Sequence, residues 1–299
     1  MPDLNRQNQL HQLAQLMLQA TSLPTPTALP GLLLIQGAVP AHQLAAIYEP
    51  MIGLVIQGGK TITIGEQVIS AQAPAYFVIP TDIPATGYVQ QGPHGLPYLS
   101  VGLALNQQVL LDLLKDLPET EGQTQGRAAL SACRPSAEML DAWLRLLQLL
   151  NTPQAIPALA PVYEREILYW VLIGPQGWRL RQICSSGGKA TRIRQAIHWI
   201  RENYTASLNI QTMANKSQLG VTTFHRQFKQ MTGLSPIQYQ KQLRLLEARK
   251  RLVFSHDSVS EAAYAVGYES PSQFNREYTR FFGAPPARDA ASIRRMQVQ

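Results

Sequence analysis

Two stretches of this sequence place the same residue types fifty positions apart. The residues F-H-R-Q-F at 224–228 are matched by F-N-R-E-Y at 274–278, and each is followed five residues later by Gly233 or Gly283. A duplication of this period indicates a repeated supersecondary unit. Each arginine lies two residues from a leading aromatic residue, about 200° round a helix, and therefore on the opposite face. Arginine can fork onto guanine and asparagine onto adenine, so the outer faces have the chemistry to read base edges.

The helix positions divide the outward residues into two groups. Residues near the start of such a helix usually reach base edges, whereas later basic residues reach phosphates. We predict base reading by six residues: Thr222, His225, Arg226, Ser272, Asn275 and Arg276. We predict contacts to the DNA backbone by four: Lys229, Lys241, Arg244 and Arg280. A lone arginine is better explained as a solvated surface residue, but recurrence in both copies argues against that, while for His225 a packing role is an equal alternative.

Capping signals predict the helices that hold these residues. Ser235 and Ser270 each precede a proline and have a glutamine three residues later, which is the pattern of a capping box. Apolar periodicity predicts helices over 210–215, 221–232, 236–253, 259–266 and 271–282, with Gly233 and Gly283 as stops. Each copy therefore reads as a helix, a tight turn and a second helix, and a long helix joins the two copies.

The charge of the chain is concentrated in the same half. Residues 189–299 hold 17 Lys and Arg against 7 Asp and Glu, giving +10, whereas residues 1–188 hold 9 against 12, giving −3. A basic domain beside an acidic one indicates a polyanionic partner for the basic domain. The cysteines, Cys133 and Cys184, form no paired motif, which favours a reducing cytoplasm. The longest apolar runs are too short to span a bilayer, so no membrane partner is expected.

The first half reads as strands followed by helices. Short strands are predicted over 51–57, 61–64, 67–69, 76–79, 87–89 and 98–105, with a tight turn at Gly65-Glu66. Leucine-rich helical stripes follow at 109–117, 139–150 and 162–173. Closely spaced short strands with Gly and Pro turns predict a small barrel or a sandwich. We expect the fold class α+β: an N-terminal small β-barrel (cupin-like) with a helical layer, followed by an all-α C-terminal domain of two helix-turn-helix modules joined by a long helix. We predict domains at 1–184 and 192–299, with a linker at 185–191.

Residues 190–290 resemble the DNA-binding domain of the AraC/XylS transcription regulators. The resemblance rests on F-H-R-Q-F-K-Q-M-T-G-L-S-P at 224–236, R-L-L-E-A-R at 244–249 and A-V-G-Y-E-S-P-S-Q-F-N-R-E-Y at 265–278. Residues 30–180 resemble the barrel-like N-terminal domain of one branch of that family, through Y-E-P at 48–50, V-I-Q-G-G-K at 55–60, R-E-I-L-Y at 165–169 and G-P-Q-G-W-R-L-R at 174–181.

The resemblance implies a sequence-specific regulator that reads two successive major grooves of double-stranded DNA. It also implies an N-terminal domain that senses a small-molecule effector, forms a homodimer, or both, and RNA polymerase as a partner if the protein is an activator. The family's first module usually has glycine in its turn and serine as the helix cap, where this chain has Gln218 and Gly220. We therefore expect strain or a shifted helix in the first module.

Other functions have less support in the sequence. A cupin-type barrel could be a metal-dependent enzyme fused to a DNA-binding domain, but His42 and His94 are far apart and no His-x-His spacing occurs, so neither a metal nor a cofactor is predicted. A nonspecific architectural DNA binder is a second alternative, against which the paired capped helices argue. Aromatic residues of the barrel, such as Tyr48, Phe77 and Tyr98, could line an effector pocket or fill the core.

Overall fold

The computed structural model describes residues 2–17, 25–37, 45–117, 131–184 and 188–297. Within these ranges the strands are β1 Thr25–Pro26, β2 Leu32–Gln36, β3 Ala46–Tyr48, β4 Met51–Gln57, β5 Gly59–Ile64, β6 Gln67–Gln72, β7 Ala75–Ile79, β8 Ile83–Gln90 and β9 Leu99–Ala104. The helices are α1 Pro2–Met17, α2 Gln107–Asp116, α3 Ala137–Gln148, α4 Ile156–Ile173, α5 Gly177–Cys184, α6 Lys189–Glu202, α7 Ile210–Lys216, α8 Val221–Thr232, α9 Pro236–Lys250, α10 Val259–Ala265, α11 Pro271–Phe282 and α12 Pro286–Gln297.

The strands form two antiparallel sheets that face each other. One sheet has five strands in the order β1-β2-β9-β4-β7, and the other has four in the order β3-β8-β5-β6. The hairpin of β5 and β6 turns at Gly65-Glu66, as predicted, with Ile64 opposite Gln67. The α+β class and the order of layers are confirmed. Of the two predicted forms, barrel and sandwich, the structure has the sandwich, because the two sheets are not closed edge to edge in the described part of the chain.

Alternation along each strand separates the apolar residues into two cores. In β2, Leu32 and Leu34 point to one face of the five-stranded sheet and pack under the helical layer of α1 to α5. Ile35 points to the other face, toward the second sheet, together with Val55 and Phe77. The five-stranded sheet is therefore covered on both faces, by helices on one side and by the four-stranded sheet on the other.

The core between the sheets continues into the C-terminal half of the chain. The buried cluster that contains Ile62 and Phe77 also contains Ile193 of α6, Phe228 of α8 and Tyr239 of α9. A separate buried cluster, which includes Phe274, consists of residues beyond position 244 together with the partly buried Tyr204. The first repeat unit is therefore packed against the sandwich, while the second has its own core.

The helices of the C-terminal half follow their local signals, with three differences. Ser235 and Gln238 form the reciprocal capping box at the start of α9. At α11 Ser270 accepts from the backbone N–H of Gln273, but the Gln273 side chain turns to Glu277, so this predicted box is only half formed. Helix α6 begins at Lys189, inside the predicted linker, and residues 185–187 of that linker lie outside the described residues. A final helix, α12, was not predicted.

Candidate nucleic-acid interface

The buried face of α8 fixes which side chains of the first unit point outward. Phe224 and Phe228 are fully buried, and the Phe228 ring packs edge-on to the ring of Tyr239 with centroids 5.5 Å apart. This contact holds α8 against α9, and Gly233 ends α8 in the left-handed conformation at φ 78°. The rotation of α8 about its axis is thereby set, and Arg226 lies on the side away from the core.

The outer face of α8 is available to a partner. Thr222, Arg226 and Lys229 are exposed, and His225 is half-buried with its ring 6.3 Å from the ring of Phe224. Neither Arg226 nor Lys229 forms an ion pair or a side-chain hydrogen bond with any residue that the structure describes. A cationic side chain with no internal partner can bind a polyanion without first breaking a contact in the protein.

Helix α11 presents a matching face in the second unit. Ser272, Asn275, Arg276 and Arg280 are all exposed. On the opposite side Phe274 and Tyr278 are fully buried. The structure therefore brings the predicted base-reading residues of each copy together on one helix face, and their contact with DNA stays a prediction.

Helix α12, which the sequence analysis missed, holds the base of α11. The Tyr278 hydroxyl donates to Asp289 at 2.8 Å, and Arg249 of α9 pairs with both oxygens of the same carboxylate at 2.8 and 2.9 Å. The side chains of Arg249 and Asp289 are each only 11% exposed, so this bidentate pair lies largely away from water. Three helices are tied together at one carboxylate.

Glu277 links α11 to the long helix α9. Its carboxylate accepts from Lys241 at 2.7 Å, from Gln273 at 3.2 Å and from the Tyr268 hydroxyl at 2.9 Å. Burial raises the pKa of Glu277, but these hydrogen bonds outweigh it and hold the pKa below its ordinary value. Lys241, predicted to contact the DNA backbone, is thus already ion-paired, although its side chain is 41% exposed.

Arg244 is placed differently from the other predicted backbone contacts. Its guanidinium donates to the carbonyls of Tyr204 at 2.7 Å, Thr205 at 3.1 Å, Ala206 at 2.9 Å and Gly267 at 2.8 Å. Burial lowers the pKa of Arg244, as expected of a half-buried cation without a carboxylate against it. The side chain joins the loop after α6 to the turn between α10 and α11, which gives it a structural role that its charge alone did not reveal.

The two helix-turn-helix turns differ in the residue that adopts the left-handed conformation. Gln218 has φ 50°, and the corresponding position in the second turn is Gly267 at φ 88°. A side chain at Gly267 would collide with the carbonyl of Thr205, whereas Gln218 is exposed. The strain expected at Gln218 is therefore present, and Gly220 caps α8 with no side-chain hydrogen bond.

The first unit also contacts the sandwich through polar groups. Arg201 of α6 pairs with Asp82 at 2.8 Å and with Glu49 at 3.3 Å. The Tyr239 hydroxyl donates to the backbone carbonyl of Asp82 at 2.8 Å. These contacts join the strand that ends at Tyr48 and the strand that begins at Ile83 to the helices that support α8. No sequence motif marks them, because the partners in each contact lie far apart in the chain, as Tyr239 and Asp82 do at 157 positions.

Both halves of the chain match known family models. Residues 28–179, about half of the chain, match the AraC-type transcriptional regulator N-terminus, and residues 213–291 match a helix-turn-helix domain. The chain belongs to the AraC/XylS family of transcription regulators. It is a DNA-binding regulator and not an enzyme, and the metal-dependent alternative is not supported.

Individual relatives agree with this assignment. The HTH-type transcriptional activator RhaS of Pectobacterium carotovorum subsp. carotovorum (strain PC1) is 30% identical over 210 residues, which cover 67% of each chain. RhaS of Yersinia pestis (strain Pestoides F) is 33% identical over 109 residues, 36% of this chain and 40% of its own. A crystal structure of ToxT from Vibrio cholerae strain SCE256, solved with an unsaturated fatty acid bound, covers 87% of this regulator and 95% of ToxT, with a TM-score of 0.53 and 8% identity. At that identity ToxT shows the fold alone.

The regulator's structure adds two observations on the earlier alternatives. Within the described ranges no group of three His, Cys, Asp or Glu side chains could hold a metal ion. His94 is an exposed loop residue, and His42 lies outside the described residues. None of the described helices is long and apolar enough to cross a membrane.

Proposed function

We propose that this regulator reads two successive major grooves on one face of the duplex, with α8 in one groove and α11 in the next. The observation that carries the proposal is the pair of outward faces without internal partners, centred on Arg226 and Arg276. Helix α9 contacts both of these helices, through Tyr239 to Phe228 of α8 and through Lys241 to Glu277 of α11. Grooves on one face of B-DNA recur about every 34 Å, so both helices can be engaged only if they are held about that far apart.

The base-reading group is Thr222, His225, Arg226, Ser272, Asn275 and Arg276, and Lys229 and Arg280 contact phosphates. Lys241 reaches a phosphate only if it exchanges its bond to Glu277, so we rank it below those two. We leave Arg244 out of the interface, because four carbonyls already occupy its donors.

We further propose that residues 1–184 sense a small-molecule effector and that residues 192–299 bind DNA. A ToxT structure with bound fatty acid supports an effector, and the RhaS relatives are activators by name, which supports activation and hence contact with RNA polymerase. A homodimer and a cytoplasmic location remain parts of the proposal. The acidic balance of the first half favours a regulatory domain that does not touch phosphates.

Hydroxyl-radical footprinting of the full chain on an operator selected from random DNA tests the grooves. We expect each monomer to protect two segments of the DNA, about one helical turn apart. When operators are selected again with each variant, Arg276→Ala should relax base preference in one segment and Arg226→Ala in the other, while the exposed Arg288→Ala on α12 should leave both preferences. Protection of one segment only by the native chain, or loss of preference in the same segment in both variants, would refute reading by two helices.

A further inference from the structure

A cavity of about 300 Å³ lies between the inner faces of the two sheets. Its wall is mostly apolar and comes from strands β2, β3, β4, β5 and β9. The larger side chains on this wall are Leu33, Ile35, Ile47, Tyr48 and Met51. The volume is at the lower end of the range for sites that bind small organic molecules. The open sandwich thus leaves room for a ligand where a closed, filled barrel would not.

Lys60 of β5 is the buried cation of this cavity. The residue is only 3% exposed, and its Nζ lies 4.9 Å from the centre of the Tyr48 ring and 5.5 Å from that of Phe77. Within the described part of the chain the Lys60 ammonium has no carboxylate partner and no hydrogen bond. Glu49 also lines the cavity, but its carboxylate is mostly exposed and contacts Arg201 instead.

A buried ammonium without an anion is costly, because the two aromatic faces replace only part of its hydration. Burial accordingly lowers the pKa of Lys60 to about 8. The neighbouring inward positions of the same strand are Ile62 and Ile64, which fill the core without this cost. A lysine at this position is explained if an anion binds beside it.

We propose that this cavity binds a small organic carboxylate, with the acid group on the Lys60 ammonium and an apolar or aromatic body against Leu33, Ile35 and Met51. A single lysine with few other polar groups suits one carboxylate. A phosphate would need several donors, and a sugar would need a polar wall that this cavity lacks. The inference rests on the proposed function for its consequence, since the carboxylate would be the effector.

The cavity is connected to the DNA-binding half by short paths. Strand β3 forms part of its wall and pairs with β8, with Tyr48 opposite Ile83. The residue after β3, Glu49, and the residue before β8, Asp82, both pair with Arg201 of α6. Asp82 also accepts from Tyr239 of α9. A ligand that moves the Tyr48 ring or binds the Lys60 ammonium therefore acts next to the contacts that hold the first helix-turn-helix unit.

The test uses the full chain and one matched pair of probes, 3-phenylpropionate and its neutral isostere 3-phenylpropionamide, measured by calorimetry. We expect the carboxylate to bind at least tenfold more tightly than the amide, and Lys60→Met to abolish that preference. Leu33→Trp, which narrows the cavity but keeps Lys60, should weaken both probes. NMR of the lysine side chains should show the pKa of Lys60 rise on binding of the carboxylate.

Equal binding of acid and amide, retention of the preference in Lys60→Met, or no binding of the carboxylate at millimolar concentration would each overturn the site. If Lys60→Met does not fold, Lys60→Gln replaces it, with circular dichroism as the check. Binding of the protein to a selected operator, measured without the probe, tests the proposed DNA recognition independently of the cavity. Lys60→Met should keep operator affinity within twofold, so failure of the cavity leaves DNA recognition intact, and failure of DNA recognition leaves probe binding intact.

Discussion

Arg244 donates a hydrogen bond of 2.8 Å to the backbone carbonyl of Gly267, which lies in the turn of the second helix-turn-helix unit. The same guanidinium holds the carbonyls of Tyr204, Thr205 and Ala206, which precede the first unit. One side chain on α9 thus fixes both units relative to each other. Two recognition helices can match two grooves only if their separation is constant, so this contact bears directly on DNA reading.

Replacing Arg244 should lower the stability of the fold, whereas replacing an exposed arginine should not. Arg244→Ala leaves four carbonyls without their donor and should lower the free energy of unfolding by about 2–4 kcal/mol. Arg226→Ala removes an exposed arginine without a partner and should change stability by less than about 0.5 kcal/mol while it weakens operator binding. Urea denaturation of both variants measures this difference. Equal stability of the two variants would contradict a structural role for the Arg244 hydrogen bonds.

Substitutions of Arg276 and Lys229 should have different effects on DNA binding. Arg276→Ala should weaken operator binding by about 1–3 kcal/mol and relax preference at one base pair, as loss of a bidentate contact does. Lys229→Ala should weaken operator and random DNA alike and reduce the salt slope by about 1. Titrations of both variants at several salt concentrations, with Arg288→Ala as control, check this. Arg276 is not a base reader if its variant loses affinity equally on operator and random DNA.

The turn residues Gln218 and Gly267 should respond in opposite directions. Gln218→Gly relieves a left-handed backbone at φ 50° and should stabilise the protein by about 1 kcal/mol. Gly267→Ala adds a Cβ only 2.3 Å from the carbonyl oxygen of Thr205 and should destabilise it by more than about 1 kcal/mol. Thermal denaturation of each variant is the measurement. A destabilised Gln218→Gly would show that the glutamine side chain matters more than its backbone.

Lys60 predicts a pH dependence of stability. Its folded-state pKa of about 8 lies below the unfolded value of about 10.4, so unfolding takes up a proton between those values. The folded state therefore carries a cost of about 3 kcal/mol below pH 8, and that cost disappears as the pH rises toward 10.4. Lys60→Met should be more stable than the native chain at pH 7, by up to that amount.

The stability gap between Lys60→Met and the native chain should shrink as the pH rises from 7 to 10. The groups that face Lys60 are Tyr48, whose pKa burial raises, and Glu49 at the cavity rim. Urea denaturation at pH 7, 8, 9 and 10 measures the gap. A gap that is constant with pH would mean that Lys60 is not a buried cation.

Tyr239 should contribute to stability through its bond to the sandwich. Tyr239→Phe removes the donor to the Asp82 carbonyl and should lower the free energy of unfolding by about 1–2 kcal/mol. Tyr264→Phe makes the same chemical change at a side chain that is 59% exposed and should have little effect. Chemical denaturation of this matched pair reports the difference. Equal effects would mean that the Asp82 contact does not stabilise the folded chain.

The sequence by itself determined the parts that depend on neighbouring residues. Helices α8 and α11 begin and end at local caps and glycines, and their aromatic spacing alone placed Arg226 and Arg276 on the outside. The β5–β6 hairpin likewise followed from alternation and a two-residue turn. Each of these features is set by hydrogen bonds and side-chain directions within a few residues, which the order of amino acids encodes directly.

Only the tertiary structure decided the roles that depend on distant partners. Arg244 and Arg226 are both arginines on helices of a basic domain, but only the first lies against carbonyls up to 40 residues away. In the sequence Lys60 follows two glycines and is predicted to lie in a hairpin turn, whereas in the structure it belongs to β5 and is buried between the two sheets beside the Tyr48 ring. Asp82 contacts Tyr239 across 157 positions. Packing between separate elements sets these environments, and the local pattern of residue types does not encode it.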